Sequence, residues 1–215
     1  MELQFANDVI VKDEFLSFAR KVRPFIDILE VGTPVIMENG MSIVEEAREE
    51  FKDCLILADT KIVDAGYLEA KMAFDRGASI VTVLAVASLK TISQSIRAAN
   101  EAGGAIMLDT IELSDFEEFA ARVSPLSPGY VCLHTPADVS GVGETFHMAD
   151  YTRKIGIIRR LLPRTKVAIA GGISLANIHY LLPLKPDVIV SGRAICEATD
   201  PADMASRIVD RLAMR

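Results

Sequence analysis

The sequence predicts an α/β protein, a single (β/α)8 TIM barrel that comprises residues 1–215. Eight short apolar runs rich in β-branched residues recur along the chain, and amphipathic segments separate them. Strands that alternate with helices form a parallel sheet, and eight such units favour a closed barrel over an open doubly wound sheet. An open flavodoxin-like sheet is the alternative. The sequence has no linker or break in composition, which indicates one domain.

The eight runs are predicted to be strands buried on both faces, because their apolar residues follow one another without strict alternation. They are 3–7, 27–32, 54–59, 79–84, 105–109, 129–134, 166–170 and 187–192.

The segments between the runs have helical spacing. SIVEEAREEF (42–51) places its apolar residues on one face and its glutamates on the other. Segments 67–77 and 89–104 each end in glycine, which commonly terminates helices. The last segment, 200–215, opens with an aspartate and a proline, which is typical of a helix start.

Composition excludes several classes of protein. The chain is 50% hydrophobic with a mean hydropathy of +0.28, so it is not a disordered chain. Its 23 Lys and Arg against 30 Asp and Glu give a net charge of −7, which argues against nucleic-acid binding but not against a small phosphorylated substrate.

No apolar run is long enough to span a membrane, and the N-terminus lacks the basic region of a secretory signal. The three cysteines, Cys54, Cys132 and Cys196, are scattered and form no CxxC pair. This usage indicates a reducing compartment, and we expect a cytoplasmic protein that does not bind membranes.

Polar side chains collect where the predicted strands end, which is where barrel enzymes place their chemistry. A single acid there commonly caps the next helix, and for Asp8 this alternative has equal weight. Capping explains the whole set poorly. The set consists of Asp8, Glu30, Asp59, Lys61, Asp64, Asp109 and His134.

The sharpest motif is LADTKIVDAG, in which Asp59, Lys61 and Asp64 have the spacing D-x-K-x-x-D. Residues two apart on a strand point to the same side, so Asp59 and Lys61 can both face the barrel mouth. The carboxylate keeps the ammonium charged, and the ammonium can stabilise an oxyanion on a substrate. Asp64 can reach the same lysine or a neighbouring subunit. The alternative is a structural ion pair at the rim.

Two glycine-bearing turns follow the seventh and eighth runs. Gly171 and Gly172 occupy the first turn, and Gly192 with Arg193 occupies the second. Unobstructed backbone amides and an arginine at these two loops predict a phosphate site. The alternative is that the glycines serve only as tight turns.

Two further features concern proton transfer and metal binding. His134 follows an apolar run at the rim, where a histidine can move protons, although a core histidine is the alternative. Glu30 and Asp59 end adjacent strands with Asp109 nearby, and two carboxylates plus substrate hydroxyls suit Mg²⁺. No His/Cys cluster suggests zinc.

These segments resemble a known family. DILEVGTPVI, LADTKIVDAG, GASIVTVL, the CLHT turn, VAIAGGI and VIVSGRAI occur in order over nearly the whole chain. They are similar to the 3-hexulose-6-phosphate synthase and 3-keto-L-gulonate-6-phosphate decarboxylase group of the orotidine 5′-monophosphate decarboxylase suprafamily. The D-x-K-x-x-D motif is the signature of the suprafamily.

The resemblance implies a homodimer with shared active sites, in which Asp64 reaches the partner's site. It implies Mg²⁺ bound by Glu30 and Asp59, and a cis-enediolate of a ketose phosphate stabilised by the metal and Lys61. It further implies substrate contacts from Asp8, Glu30 and Asp109, a phosphate grip from Gly171, Gly172, Gly192 and Arg193, and proton handling by His134.

The resemblance leaves the reaction open between aldol addition of formaldehyde to ribulose 5-phosphate and decarboxylation of a keto-gulonate phosphate. Two features match the sequences of the synthases, namely the pair His134-Thr135 and the residue Asp138. The decarboxylases have an arginine at the position that Ala137 occupies here. Pro136 replaces a glycine of the synthases, and Thr60 is unusual within the motif. The synthase is the leading hypothesis, a related decarboxylase is the first alternative, and a sugar-phosphate-binding barrel without catalysis is the second. A third sugar phosphate also remains open as substrate.

Overall fold

The computed structural model describes residues 1–136 and 148–213. The strands are β1 (Glu2–Asn7), β2 (Ile28–Val31), β3 (Leu55–Ile62), β4 (Ile80–Leu84), β5 (Ala105–Asp109), β6 (Tyr130–His134), β7 (Lys166–Ala170) and β8 (Val188–Ser191). The helices are α1 (Lys12–Val22), α2 (Thr33–Asn39), α3 (Ser42–Glu50), α4 (Gly66–Asp75), α5 (Leu89–Ala102), α6 (Phe116–Val123), α7 (Met148–Leu161), α8 (Ile178–Leu181), α9 (Arg193–Cys196) and α10 (Pro201–Ala213).

The predicted (β/α)8 barrel is confirmed. The strands are all parallel and pair in chain order, and β1 also pairs with β8, which closes the barrel. In that last pair Glu2 lies beside Val188 and Phe5 beside Ser191. All eight predicted strands form, because uniformly apolar runs suit a sheet that is covered on one face by helices and filled on the other.

Two apolar layers form the core. The larger layer lies between the strands and the surrounding helices and includes Phe5, Phe15 and Phe119, all fully buried. The smaller layer fills the barrel interior with side chains from alternate strand positions, such as Ile28 and Leu57. These layers hold the strand ends at fixed positions, which is the condition for a precise site at the rim.

The helix ends agree with the chemistry expected from the sequence. Ser88 caps α5, since its Oγ accepts a hydrogen bond from the Thr91 amide at 3.0 Å. The same helix is followed by Gly103, which has a left-handed φ of 70° and caps its end. Asp200 accepts a hydrogen bond from the Ala202 amide at the start of α10. Within the described residues, no helix has the length and apolar character that crossing a membrane requires.

Strand β3 differs from its prediction. The sequence pattern predicts that this strand ends at Asp59, whereas the observed strand continues to Ile62. Its register against β4 slips between Ala58 and Ile62, and Lys61 lies inside the slip with a left-handed φ of 48°. The predicted alternation of Asp59 and Lys61 is therefore interrupted by a β-bulge, a feature that re-aims side chains near active sites.

Candidate active site

A cavity of about 740 Å³ opens at the carboxyl ends of the strands. It is lined by ten of the residues that the sequence predicts for the site, which come from the ends of seven strands. They are Asp8, Glu30, Asp59, Lys61, Asp109, His134, Gly171, Gly172, Gly192 and Arg193. The barrel topology thus brings together side chains that lie far apart in the sequence.

The strand pattern explains why this end of the barrel is polar. On β2 the inward-facing residue Ile28 is followed two positions later by Glu30. On β3 the inward-facing residue Leu57 is followed in the same way by Asp59. On β5, Met107 is followed by Asp109 in the same way. On each of these strands, two successive inward-facing positions thus change from an apolar to a charged residue. The change occurs where the packed barrel interior ends and the open mouth begins.

Asp59 and Lys61 form an ion pair on the cavity wall. Asp59 is only 5% exposed, and it also accepts hydrogen bonds from Thr82 Oγ1 and Thr33 Oγ1, both at 2.8 Å. The Lys61 ammonium donates to Thr33 Oγ1 at 3.1 Å. The whole of this group is buried or half-buried, so water screens it weakly.

The pKa values of the pair move in the directions that keep both groups charged. Burial acts to raise the pKa of Asp59, but the Lys61 ammonium and three hydrogen bonds bring it below its ordinary value. Burial likewise acts to lower the pKa of Lys61, but the charge of Asp59 raises it above its ordinary value. The site thus holds a fixed ammonium that can stabilise developing negative charge.

Glu30 lies in a different environment. Burial, together with the negative charge of Asp59, raises the pKa of Glu30 to about 8. Its Oε2 accepts a hydrogen bond from Gln4 Nε2 at 2.6 Å. The other amide atom, Gln4 Oε1, is buried and has no hydrogen-bond partner among the residues that the structure describes. Glu30, Asp59 and Gln4 thus line the same cavity.

His134 pairs with Asp109 across the adjacent ends of β6 and β5. The distance from Nδ1 of the histidine to Oδ2 of the aspartate is 2.8 Å. The second oxygen of Asp109 accepts the Ile111 amide at 2.9 Å, so the aspartate is itself held in place. A carboxylate on Nδ1 fixes the orientation of a histidine ring.

The predicted phosphate turns are held close to neighbouring strand ends. Gly171 has a φ of 106°, and a Cβ there would lie 2.4 Å from Thr135 O, so only glycine fits. A Cβ on Gly192 would lie 2.7 Å from Ala6 O. Asn177 fastens the first turn, because it accepts the Ser174 amide at 2.9 Å and donates to Gly172 O at 2.8 Å.

Asp64 is the predicted site residue that does not line this cavity. It lies between β3 and α4 and lines a separate surface cavity of about 340 Å³, together with Tyr67, Lys90 and Gln94. Within one chain, the structure therefore does not bring the third member of the D-x-K-x-x-D motif to the Lys61 ammonium.

The chemistry of the donors fits a hard cation. In residues 1–136 and 148–213, no three His, Cys, Asp or Glu side chains cluster as a ready metal cage. Glu30 and Asp59 do offer two carboxyl groups in one cavity, and burial together with the negative charge of Asp59 raises the pKa of Glu30. Mg²⁺ commonly takes one or two protein carboxylates and fills its other positions with water and substrate oxygens.

The sequence analysis did not identify five polar residues of the cavity, namely Gln4, Thr33, Thr82, Ser174 and Glu197. Gln4 and Thr82 lie inside apolar runs, where a polar residue at an inward strand position was the available signal, whereas Thr33 begins α2. Ala137 and Asp138, which bear on the choice of reaction, lie outside the described residues.

Comparison with known proteins agrees with the barrel fold. The 3-hexulose-6-phosphate synthase of Bacillus subtilis is 34% identical over 208 residues, which is 97% of each chain. The crystal structure of 3-hexulose-6-phosphate synthase from Salmonella typhimurium superposes with a TM-score of 0.91 at 34% identity, covering 99% of this chain and 98% of that chain.

A second kind of relative has almost the same fold. A crystal structure of KGPDC from Streptococcus mutans has a TM-score of 0.90 at 26% identity, covering 99% of this chain and 98% of that chain. The profile of one family, orotidine 5′-phosphate decarboxylase / HUMPS, matches residues 1–208. The chain therefore belongs to the orotidine 5′-phosphate decarboxylase / HUMPS family.

Proposed function

We propose that the chain is a 3-hexulose-6-phosphate synthase, which adds formaldehyde to ribulose 5-phosphate and catalyses the reverse cleavage. Its relatives include synthases and KGPDC, a decarboxylase, and both activities make or break a carbon–carbon bond. The chain is an enzyme of that class, a carbon–carbon lyase. The observation that supports enediolate chemistry is the Asp59–Lys61 pair in a cavity that is also lined by the glycine turns and Arg193. The synthase is placed first because the synthase relatives are 34% identical to this chain and the KGPDC relative is 26% identical.

In this proposal the phosphate of the substrate binds at the turns of Gly171, Gly172 and Gly192, with Arg193 contacting its oxygens. This places the ketose carbons toward Lys61 and His134, which line the same cavity. Binding through the unreactive phosphate holds the reacting carbons in position without adding charge where the chemistry occurs.

His134 then removes a proton from the carbon next to the ketone, which gives a cis-enediolate. Its Nδ1 faces Asp109, so Nε2 is the nitrogen that takes the proton. The Lys61 ammonium stabilises the oxyanion. The enediolate carbon attacks the carbon of formaldehyde, and the C=O π bond breaks as the carbon–carbon bond forms. His134 then gives the proton that it removed to the resulting alkoxide.

A divalent cation completes the proposed site. Glu30 and Asp59 would hold Mg²⁺, with Asp8 and Asp109 contacting substrate hydroxyls. When bound, the cation would supply positive charge to the oxygens of the substrate.

A decarboxylase is the second candidate because of the KGPDC relative. Loss of CO₂ from a keto-acid phosphate gives the same kind of enediolate, so the Asp59–Lys61 pair serves either reaction. The two are separated by their substrates and products. Incubation with ribulose 5-phosphate, formaldehyde and Mg²⁺ should give a hexulose 6-phosphate. Release of CO₂ from 3-keto-L-gulonate 6-phosphate without aldol product would instead assign the decarboxylase.

We also propose a homodimer whose subunits share active sites through Asp64. Large apolar side chains beside Asp64 are exposed, including Val63 at 56% and Leu68 at 62%. Met72 on the same helix is 50% exposed. Neighbouring apolar residues of this kind usually mark a protein interface. If these apolar side chains were buried against a second copy of the chain, Asp64 would lie close to the partner subunit.

Replacement of Arg193 by alanine is expected to raise the KM for ribulose 5-phosphate by about 10- to 100-fold, with a smaller effect on kcat. The reason is that the guanidinium binds the unreactive phosphate in both ground and transition states. Steady-state kinetics measure the split. Arg207→Ala removes an exposed arginine of α10 and serves as the control. Equal losses in kcat and in substrate affinity would contradict the assigned role.

A further inference from the structure

The register shift between β3 and β4 places three residues of the D-x-K-x-x-D motif opposite a single residue of β4. Ala58 lies beside Val81 and Ile62 lies beside Val83. The residues in between on β3 are Asp59, Thr60 and Lys61, and they lie opposite Thr82 alone. The regular ladder of backbone hydrogen bonds does not continue through such a bulge, so other groups must hold the extra residues.

Thr82 contacts all three of these residues. The Lys61 amide donates to Thr82 Oγ1 at 2.9 Å, and Thr82 Oγ1 in turn donates to Asp59 Oδ1 at 2.8 Å. Thr60 Oγ1 donates to the carbonyl oxygen of Thr82 at 3.0 Å. The Thr82 hydroxyl thus has a defined direction, since its oxygen accepts from an amide and its hydrogen goes to a carboxylate.

These contacts fix a backbone that would otherwise be unfavourable. Lys61 has a φ of 48°, a left-handed conformation that a residue with a side chain keeps only where its surroundings hold it. The conformation directs the Lys61 side chain into the cavity beside Asp59. Thr82 is 4% exposed, so water does not readily replace its hydroxyl.

We propose that Thr82 is a positioning residue for the reaction and that Thr60 assists it. The hydroxyl of Thr82 holds the Lys61 backbone and the Asp59 carboxylate in one arrangement, so that the ammonium meets the oxyanion at the correct place. Thr60, the unusual residue of the motif, holds Thr82 in turn. The catalytic part of this inference rests on the proposed function.

Three substitutions test the positioning role. Thr82→Val keeps the shape of the side chain but removes the hydroxyl, and should lower kcat about 10- to 100-fold while KM changes less than about threefold. Thr82→Ser keeps the hydroxyl and should restore kcat to within about threefold of the unmodified protein. Thr60→Val should lower kcat less than Thr82→Val does.

Thr165→Val is the matched control. Thr165 is also buried, and its hydroxyl donates to the Pro128 carbonyl oxygen at 2.8 Å, before β7 and thus at the opposite end of the barrel from the cavity. The Thr165→Val substitution should lower thermal stability to a similar extent as Thr82→Val does, and it should leave kcat unchanged. The comparison separates loss of a buried hydrogen bond from loss of position at the site.

A second measurement does not depend on any reaction. The Lys61 amide is hydrogen-bonded to the Thr82 hydroxyl, so hydrogen–deuterium exchange of the peptide 59–64 should be at least about tenfold faster in Thr82→Val and unchanged in Thr165→Val. If the unmodified protein forms no hexulose phosphate, the proposed synthase activity fails, but the exchange rates still decide whether Thr82 holds Lys61.

The positioning role is overturned if Thr82→Val keeps kcat within about twofold, or if Thr82→Ser is as impaired as Thr82→Val. It is also overturned if the two valine variants show the same exchange in peptide 59–64. A large rise in KM with kcat unchanged would assign Thr82 to substrate binding instead.

Discussion

Replacement of Lys61 by methionine is expected to reduce turnover of ribulose 5-phosphate and formaldehyde by about 10²- to 10³-fold. Methionine preserves most of the volume of the side chain but removes the ammonium. The half-buried ammonium lies beside Asp59 and Thr33, and its side chain is only 28% exposed, so water would replace its charge poorly. The loss should fall mainly on kcat, because the charge is needed where the oxyanion develops.

Solvent deuterium exchange gives the clearest measurement for this variant. In the unmodified protein, ribulose 5-phosphate in D₂O should gain deuterium at the carbon next to the ketone without formaldehyde, since the enediolate forms first. Lys61→Met should slow that exchange as much as it slows the full reaction. An unchanged exchange rate in Lys61→Met would show that the ammonium does not stabilise the enediolate.

Lys166 provides a matched control for the loss of a lysine ion pair. Its ammonium lies 2.8 Å from Glu2 Oε1 at the amino-terminal ends of β7 and β1, on the far side of the barrel from the cavity. Lys166→Met should leave deuterium exchange and turnover unchanged. Thermal unfolding of both variants shows whether either substitution disturbs the fold.

The local sequence pattern predicted the strands well because it reports burial directly. The run AIMLD predicted the bounds of β5, and the run KVAIA predicted those of β7. A buried strand next to a polar mouth must change from apolar to polar residues at its end, so Asp109 and His134 were identifiable as rim residues. Their mutual contact at 2.8 Å was not, because it depends on the register between β5 and β6.

The bulge at Lys61 shows what a one-dimensional pattern does not contain. Alternation alone places Asp59 and Lys61 on one side, and the structure reaches the same result through a slipped register and a left-handed residue. Thr82 looks like an ordinary β-branched residue of the run SIVTVL, since threonine is favoured in strands. The role of Thr82 depends on its contact with the neighbouring strand β3. The residue that it contacts there, Lys61, lies 21 positions earlier in the sequence.

Asp64 is the residue whose proposed role depends on a second chain. Its side chain lines a surface cavity of its own subunit rather than the cavity that contains Lys61. If Asp64 completes the active site of the partner, Asp64→Asn should lower kcat in the homodimer by about 10²-fold or more. A role confined to its own helix start would leave kcat nearly unchanged.

Mixed dimers discriminate between these two placements more sharply than either single variant does. A heterodimer of Lys61→Met and Asp64→Asn subunits, isolated with two different affinity tags, contains both substitutions in one shared site and neither in the other. Its activity should recover to about half that of the unmodified dimer, because a twofold dimer has two equivalent sites. If Asp64 acted within its own chain, each site of the heterodimer would carry one substitution and activity would stay low. A chain that forms no doubly tagged complex would contradict the proposed dimer itself.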